Sequence, residues 1–161
     1  MTLTVFQILS IALAIAAVTA CFFPRIPSAL AAWLGLLTAH FAGAPYINAK
    51  VLTFWAVASV IVLMLGYLQP KALTRTRAGV AYVATGTIAG TAVGYACAPV
   101  TASFIIGAIV GALLGTVAFM TLPKGPKKNI GSPEFIQYLC AKGLPAVVSC
   151  SQAAIVLATT L

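Results

Sequence analysis

The chain reads as long apolar runs punctuated by proline and by lysine or arginine. Apolar runs cover residues 3–23, 28–43, 51–69, 79–98, 100–122 and 135–160. A bilayer core of about 30 Å takes roughly 20 apolar residues of helix per crossing. Five runs reach that length or come close, and 28–43, with 16 residues, is short. The interruptions are Pro24-Arg25-Ile26-Pro27, Ala44-Pro45-Tyr46-Ile47-Asn48, Pro70 with the basic stretch 71–77, Pro99, and the polar loop 123–133. This pattern predicts an all-α, polytopic membrane bundle of five to six segments, folded as one domain over residues 1–161. Two pairs of runs are broken only by proline turns (3–23 with 28–43, and 79–98 with 100–122). Each pair reads either as a spanning hairpin or as one that dips in and returns. Both readings leave the sidedness of the basic loops unchanged.

Composition sharpens that picture. Hydrophobic residues make up 62% of the chain and charged ones 6%, where soluble domains carry about 25% charged. Nine Lys and Arg stand against one acid, Glu134. A water-soluble globule, a disordered chain and a disulfide scaffold are excluded. Paired-carboxylate hydrolysis and a carboxylate metal cage also lack their acids. Arg25, three cations in 70–78 and three in 123–134 fall on one side of the predicted bundle, against Lys50 alone on the other. Short cation-rich loops stay cytoplasmic, so both termini are expected to face outward. Tyr67, Tyr82 and Tyr138 then lie near cytoplasmic helix ends, and Tyr46 and Tyr95 near outer ones. Without a basic region before the first run, a cleaved signal peptide is not expected. The basic loops are expected to meet anionic lipid headgroups, at about 1 kcal/mol per cation near the surface. Nucleic-acid binding has no support beyond the sign of the charge.

Small residues recur at helical spacing in two consecutive runs. Gly79, Gly86, Gly90 and Gly94 are separated by seven, four and four, and Ser103, Gly107, Gly111 and Gly115 by four throughout. Such spacing places each set on one helix face, where small side chains allow close approach in lipid. These two glycine ladders read as packing within the monomer, with a homo-oligomeric interface as the alternative. The halves 3–69 and 79–160 also align loosely, Cys21 to Ser28 against Cys97 to Ser103. That is a weak inverted repeat of the kind transporters use to build a midplane site.

Lys142 is the cation set inside an apolar run, about 10 Å from its cytoplasmic end at 1.5 Å per residue. It either snorkels to the headgroups or faces an internal cavity and an anionic guest. Pro145 supports the second option, because its missing N–H frees a carbonyl one turn earlier, tolerated at depth beside protein or a wet cavity. Ser149 and Gln152 continue the polar content on the same helix side. Lys142, Pro145, Ser149 and Gln152 are therefore the expected binding residues, with Arg25 joining them if the first hairpin is re-entrant. His40 reads as an interfacial hydrogen-bonding residue. Cys21, Cys97, Cys140 and Cys150 show no C-x-x-C pairing and read as inert buried thiols. No phosphate loop, zinc motif or nucleophile elbow appears. No cofactor or metal is expected, and one acid with one His leaves little equipment for an enzyme.

Pro24-Arg25-Ile26-Pro27 followed by Leu34-Gly35-Leu36-Leu37-Thr38-Ala39-His40-Phe41 resembles the P-x-L-P and LGLLLLHF-like stretch of a bacterial membrane family known as domain of unknown function 456. Tyr67-Leu68-Gln69-Pro70, Arg77-Ala78-Gly79-Val80 and the 107–115 ladder are similar to that family's later motifs, in the same order. The resemblance implies a small multi-pass inner-membrane protein and no particular activity. Similar members carry an acid where this chain has Gly66 and a Glu where it has Thr116, which argues against a proton-coupled step here. The expected function is carrier or flippase-like handling of an anionic or amphipathic solute or lipid. The alternative is a non-catalytic scaffold or partner subunit that oligomerises through its glycine ridges.

Overall fold

The computed structural model describes residues 2–23, 26–44, 46–69, 78–98, 100–121 and 132–160. Arg25 and the cations of the stretches 71–77 and 124–128 lie outside the described residues, as do most of the basic loops that carry the sidedness argument. Helix is the one regular structure among the described residues. In chain order these are α1 (Thr2–Ala20), α2 (Ser28–Phe41), α3 (Ala49–Leu68), α4 (Val80–Cys97), α5 (Thr101–Thr121), α6 (Pro133–Tyr138), a π turn (Leu139–Gly143) and α7 (Leu144–Thr160). The last three form one continuous rod. Among the described residues four stretches are long and apolar enough to cross a membrane: α3, α4, α5 and the rod Pro133–Thr160. Val5–Ala20 and Ser28–Phe41 are apolar but shorter.

Local chemistry sets several helix starts. The Asn48 side chain accepts the Val51 N–H at 3.0 Å and so caps α3. Ser132 Oγ accepts the Phe135 N–H at 3.2 Å, with Pro133 opening α6. Each satisfies a backbone donor that has no partner inside its own helix. Gly79 precedes α4 with φ 74°, a left-handed conformation that glycine adopts without a Cβ clash.

The helices pack as antiparallel hairpins. Gly35 of α2 lies against Ser10, Leu13 and Ala14 of α1, while Phe6 and Phe41 meet at the far end, 6.3 Å between centroids. Between α2 and α3, Trp33 Nε1 donates to the Leu52 carbonyl at 3.2 Å and Ser59 Oγ to the Ala29 carbonyl at 3.4 Å. On α4 and α5 the glycines face one another. A Cβ at Gly90 would stand 2.9 Å from the Gly111 Cα, and one at Gly86 3.1 Å from the Gly115 Cα. Backbones this close gain dispersion contacts along their whole length, the main packing force where lipid removes the hydrophobic drive. Gly79 does not join this ridge. It stands outside the helix as its cap, in a space closed by Phe119 and the Tyr138 hydroxyl.

The rod is the hub. Its α7 part contacts α1, α2, α3, α4 and α5, and 72% of an 18-residue apolar stretch of the rod is buried, against 17% for the corresponding stretch of α3. Buried polar side chains come inward from around the bundle: Ser10, Ser28, Ser59, Thr87, Thr91 and Thr116, together with Lys142, Ser149, Ser151 and Gln152 of the rod. Large apolar side chains point outward instead, among them Val5, Ile8, Phe54, Val57, Met64, Ile106 and Leu114, each more than half exposed. An apolar coat of this extent would aggregate in water; hydrocarbon suits it. The third helices of the two halves occupy unlike positions, α3 at the edge and the rod at the centre.

This arrangement gives a direct check with thiol labelling. Cys97 is exposed and Cys150 buried. In the folded protein in detergent, maleimide is expected to modify Cys97 rapidly and Cys150 only after denaturation. Equal labelling of both would contradict the packing of α7.

Candidate functional site

The site is organised by one break in the rod. Proline at 145 has no N–H to give, so a regular helix would strand a carbonyl one turn earlier. The chain answers by widening rather than by a bare kink. Leu144 N–H reaches back to the Leu139 carbonyl, five residues earlier, closing the π turn that contains Lys142. Inserted π turns shift every following side chain around the helix axis and recur at functional sites. Lys142 is 8% exposed, well inside the bundle rather than at its rim.

Lys142 lines a cavity of about 360 Å³, within the usual range for small-ligand sites. Pro145 and Ala146 complete the floor beside it, and Cys21 and Ser28 form the side nearest the α1–α2 turn. The facing walls come from α3 (Val62, Leu63, Gly66, Tyr67) and from α4 (Val80, Val83, Ala84). Those helices are neighbours in sequence, yet α3 packs on α2, the π turn and α7 and makes no comparable contact with α4. The cavity therefore occupies the gap between them. A Cβ at Gly66 would meet nothing within 4 Å, so the wall has room there.

Beneath the cavity lies a small polar layer. Ser149 Oγ is 2.9 Å from Ser28 Oγ and 2.7 Å from the Pro145 carbonyl. The Cys21 thiol donates to the Ala17 carbonyl at 3.3 Å and lines the cavity beside Ser28. The Ser149–Ser28 contact ties the α1–α2 turn to α7 and holds the cavity wall in place.

Of the residues expected from sequence, the structure brings Lys142 and Pro145 together in the cavity and connects Ser149 to it through Ser28. Gln152 stands apart. Its Nε2 donates to Ser59 Oγ at 3.0 Å and to the Trp55 carbonyl at 3.4 Å, away from the cavity lining. Gln152 lies about 15 Å further along the rod than Lys142 at 1.5 Å per residue, so it meets the same side of α3 at a different level. Arg25 lies outside the described residues. Ser28, Cys21 and Tyr67 carried no sequence signal as site residues, since they reach the cavity from the α1–α2 turn and from α3, away from the rod that bears Lys142.

Two other polar residues have structural work. His40 Nδ1 is 2.6 Å from the Ile47 carbonyl, so that nitrogen donates and fastens the α2–α3 connection. Tyr138, which its position near a helix end predicts at the headgroup level, turns inward instead. Its hydroxyl donates to the Ala78 carbonyl at 2.7 Å and its ring stacks on Phe119 at 5.6 Å. That bond pins the start of α4 to the rod below the cavity. Among the described residues no group of three or more His, Cys, Asp or Glu could hold a metal ion.

Compared with known proteins, the chain matches no family, no curated protein and no solved structure. The site's chemistry must be argued from the geometry.

Proposed function

We propose that this protein is a non-enzymatic, multi-pass carrier of an anionic or amphipathic solute, and that the cavity holding Lys142 is its binding site. The observation that carries this reading is a lysine held inside the bundle on the floor of a cavity with mainly apolar walls. A cation at such depth favours an anionic guest electrostatically, and the walls favour one with apolar substance. The six apolar segments, the two hairpins as full crossings, both termini outward and the bacterial inner membrane form one consistent topology with this. It places the cavity at the cytoplasmic side, the side of the basic loops. The resemblance to the uncharacterised bacterial family agrees with a membrane role and adds no activity.

A scaffold acting through its glycine ridges is less favoured. Gly86, Gly90 and Gly94 spend their open faces on Gly107, Gly111 and Gly115, which leaves no glycine ridge for a partner. The deciding measurement is a binding titration of the purified chain with an anionic amphiphile such as dodecyl phosphate, set against a zwitterionic one. Lys142→Gln keeps the side chain's bulk and removes its charge. It is expected to weaken anionic binding about tenfold, the scale of one charge-assisted hydrogen bond, and to leave zwitterionic binding unchanged. Identical affinities for the two proteins would refute the site.

A further inference from the structure

A second cavity, of about 680 Å³, lies at the opposite end of α3. It is bounded by Asn48, Lys50 and Trp55 of α3 and its approach, by Thr101 and Phe104 of α5, and by Ile155 and Thr159 of α7. The two cavities use the same two helices at different heights. On α3 the lysine-floored cavity takes residues 62–69 and the second takes 48–55; on α7 and the π turn the first takes 141–146 and the second 155–159. Between those levels on both helices sits a single polar tie, Gln152 to Ser59 and to the Trp55 carbonyl. Gln152 is fully buried, and its Oε1 has no hydrogen-bond partner. An unanswered amide oxygen at the centre of a bundle carries an uncompensated desolvation cost, which a passing hydroxyl donor or water would relieve.

The walls describe a seam. α3 leans on α2 and α7 and makes no comparable contact with α4 or with α5, so the two cavities lie along one side of α3, separated by a closed stretch in which α7 is buried from Ala146 to Ala153. A cation stands in each cavity, Lys142 in one and Lys50 in the other. The sides are apolar: Val62, Leu63 and Val83 at one end, Phe54, Val100 and Phe104 at the other. A hydrated soluble anion gains nothing from such walls. A lipid gains from both, its phosphate passing between the cations while its acyl chains stay in the hydrocarbon beyond α3.

Building on the proposed binding site, we infer that the seam between α3 and the α4–α5 hairpin is a track for the headgroup of an anionic phospholipid, with the Gln152–Ser59 tie as the barrier midway. Lys142 and Lys50 are the resting points for the phosphate, and the Gln152 Oε1 accepts from a headgroup hydroxyl as it crosses.

The test uses the full chain in phosphatidylcholine vesicles carrying fluorescent phosphatidylglycerol or, separately, fluorescent phosphatidylcholine, with dithionite added outside. With phosphatidylglycerol, bleaching is expected to run past the outer-leaflet pool. Phosphatidylcholine should lag well behind. Gln152→Leu, which removes the polar step, is expected to slow phosphatidylglycerol transfer about fivefold, the effect of one lost neutral hydrogen bond. Lys50→Gln changes an exposed residue, so folding is not at stake, and should slow it about threefold, as weak exposed charges do. Bleaching that stops at the outer leaflet overturns the track, as does equally fast transfer of both lipids. Entry of inorganic phosphate that depends on Lys142, without lipid transfer, overturns the track and leaves the proposed binding site standing. Absence of any Lys142-dependent binding or movement removes both.

Discussion

Gly90→Leu is expected to abolish folding, and Gly90→Ala to lower the melting temperature in detergent by about 6 °C. A Cβ at this position would press on the Gly107 carbonyl and stand 2.9 Å from the Gly111 Cα. Those atoms are backbone and cannot swing aside like a side-chain end. Relief requires α4 and α5 to separate, and the contact between them is the most extensive in the molecule. Overpacking of a tight interface costs about 1–3 kcal/mol for a small addition, and about 2 kcal/mol shifts the melting point of a chain this size by several degrees. Leucine adds three more carbons and so exceeds the few kcal/mol that keep a domain folded. Gly66→Ala is the matched control, because its Cβ meets nothing within 4 Å. It should be neutral or slightly stabilising through helix propensity. Equal losses at positions 66 and 90 would mean that glycine is needed for something other than close approach.

Features written in residue spacing were the legible ones. The apolar runs mark the helices to within a few residues, since a membrane helix needs an uninterrupted stretch and proline or charge ends it. The 107–115 glycines and their partners at 86–94 could be set on helix faces because α4 and α5 are regular. Gly79, counted by the same spacing, fell outside because the helix begins one residue later. Spacing on one face said nothing of height: Gln152 lies about 15 Å along the rod from Lys142 at 1.5 Å per residue and bonds to Ser59 instead of lining the cavity. Nothing in the local pattern announces which neighbour α7 will meet, so Ser28 and Ser59, each one serine in an apolar run, gave no sign of bonding to Ser149 and Gln152. The inward turn of Tyr138 was hidden for the same reason. Its partner is a carbonyl sixty residues away in sequence, and only the assembled bundle brings the two together. Lys142 was legible because charge is scarce in this chain; its cavity was not, because four separate elements build it.

The largest functional effect is expected from Gly66→Asp. Position 66 lines the cavity that Lys142 also lines, and the missing Cβ leaves space for a side chain there. A carboxylate at this point would occupy the anionic role itself. It offers Lys142 an internal partner and repels any incoming phosphate, and like-charge juxtaposition in a site costs several kcal/mol. Loss of attraction and gain of repulsion act together, so affinity for an anionic amphiphile should fall about a hundredfold, or about 2.7 kcal/mol, more than Lys142→Gln alone. Gly66→Asn supplies the same bulk without charge and should keep most of the binding. Acidification offers a second control with a definite sign: protonating the new carboxylate removes the competitor while lysine keeps its charge, so binding to Gly66→Asp should recover as the pH falls. If Asp and Asn weaken binding equally, space rather than charge governs the cavity and the anionic guest is the wrong one.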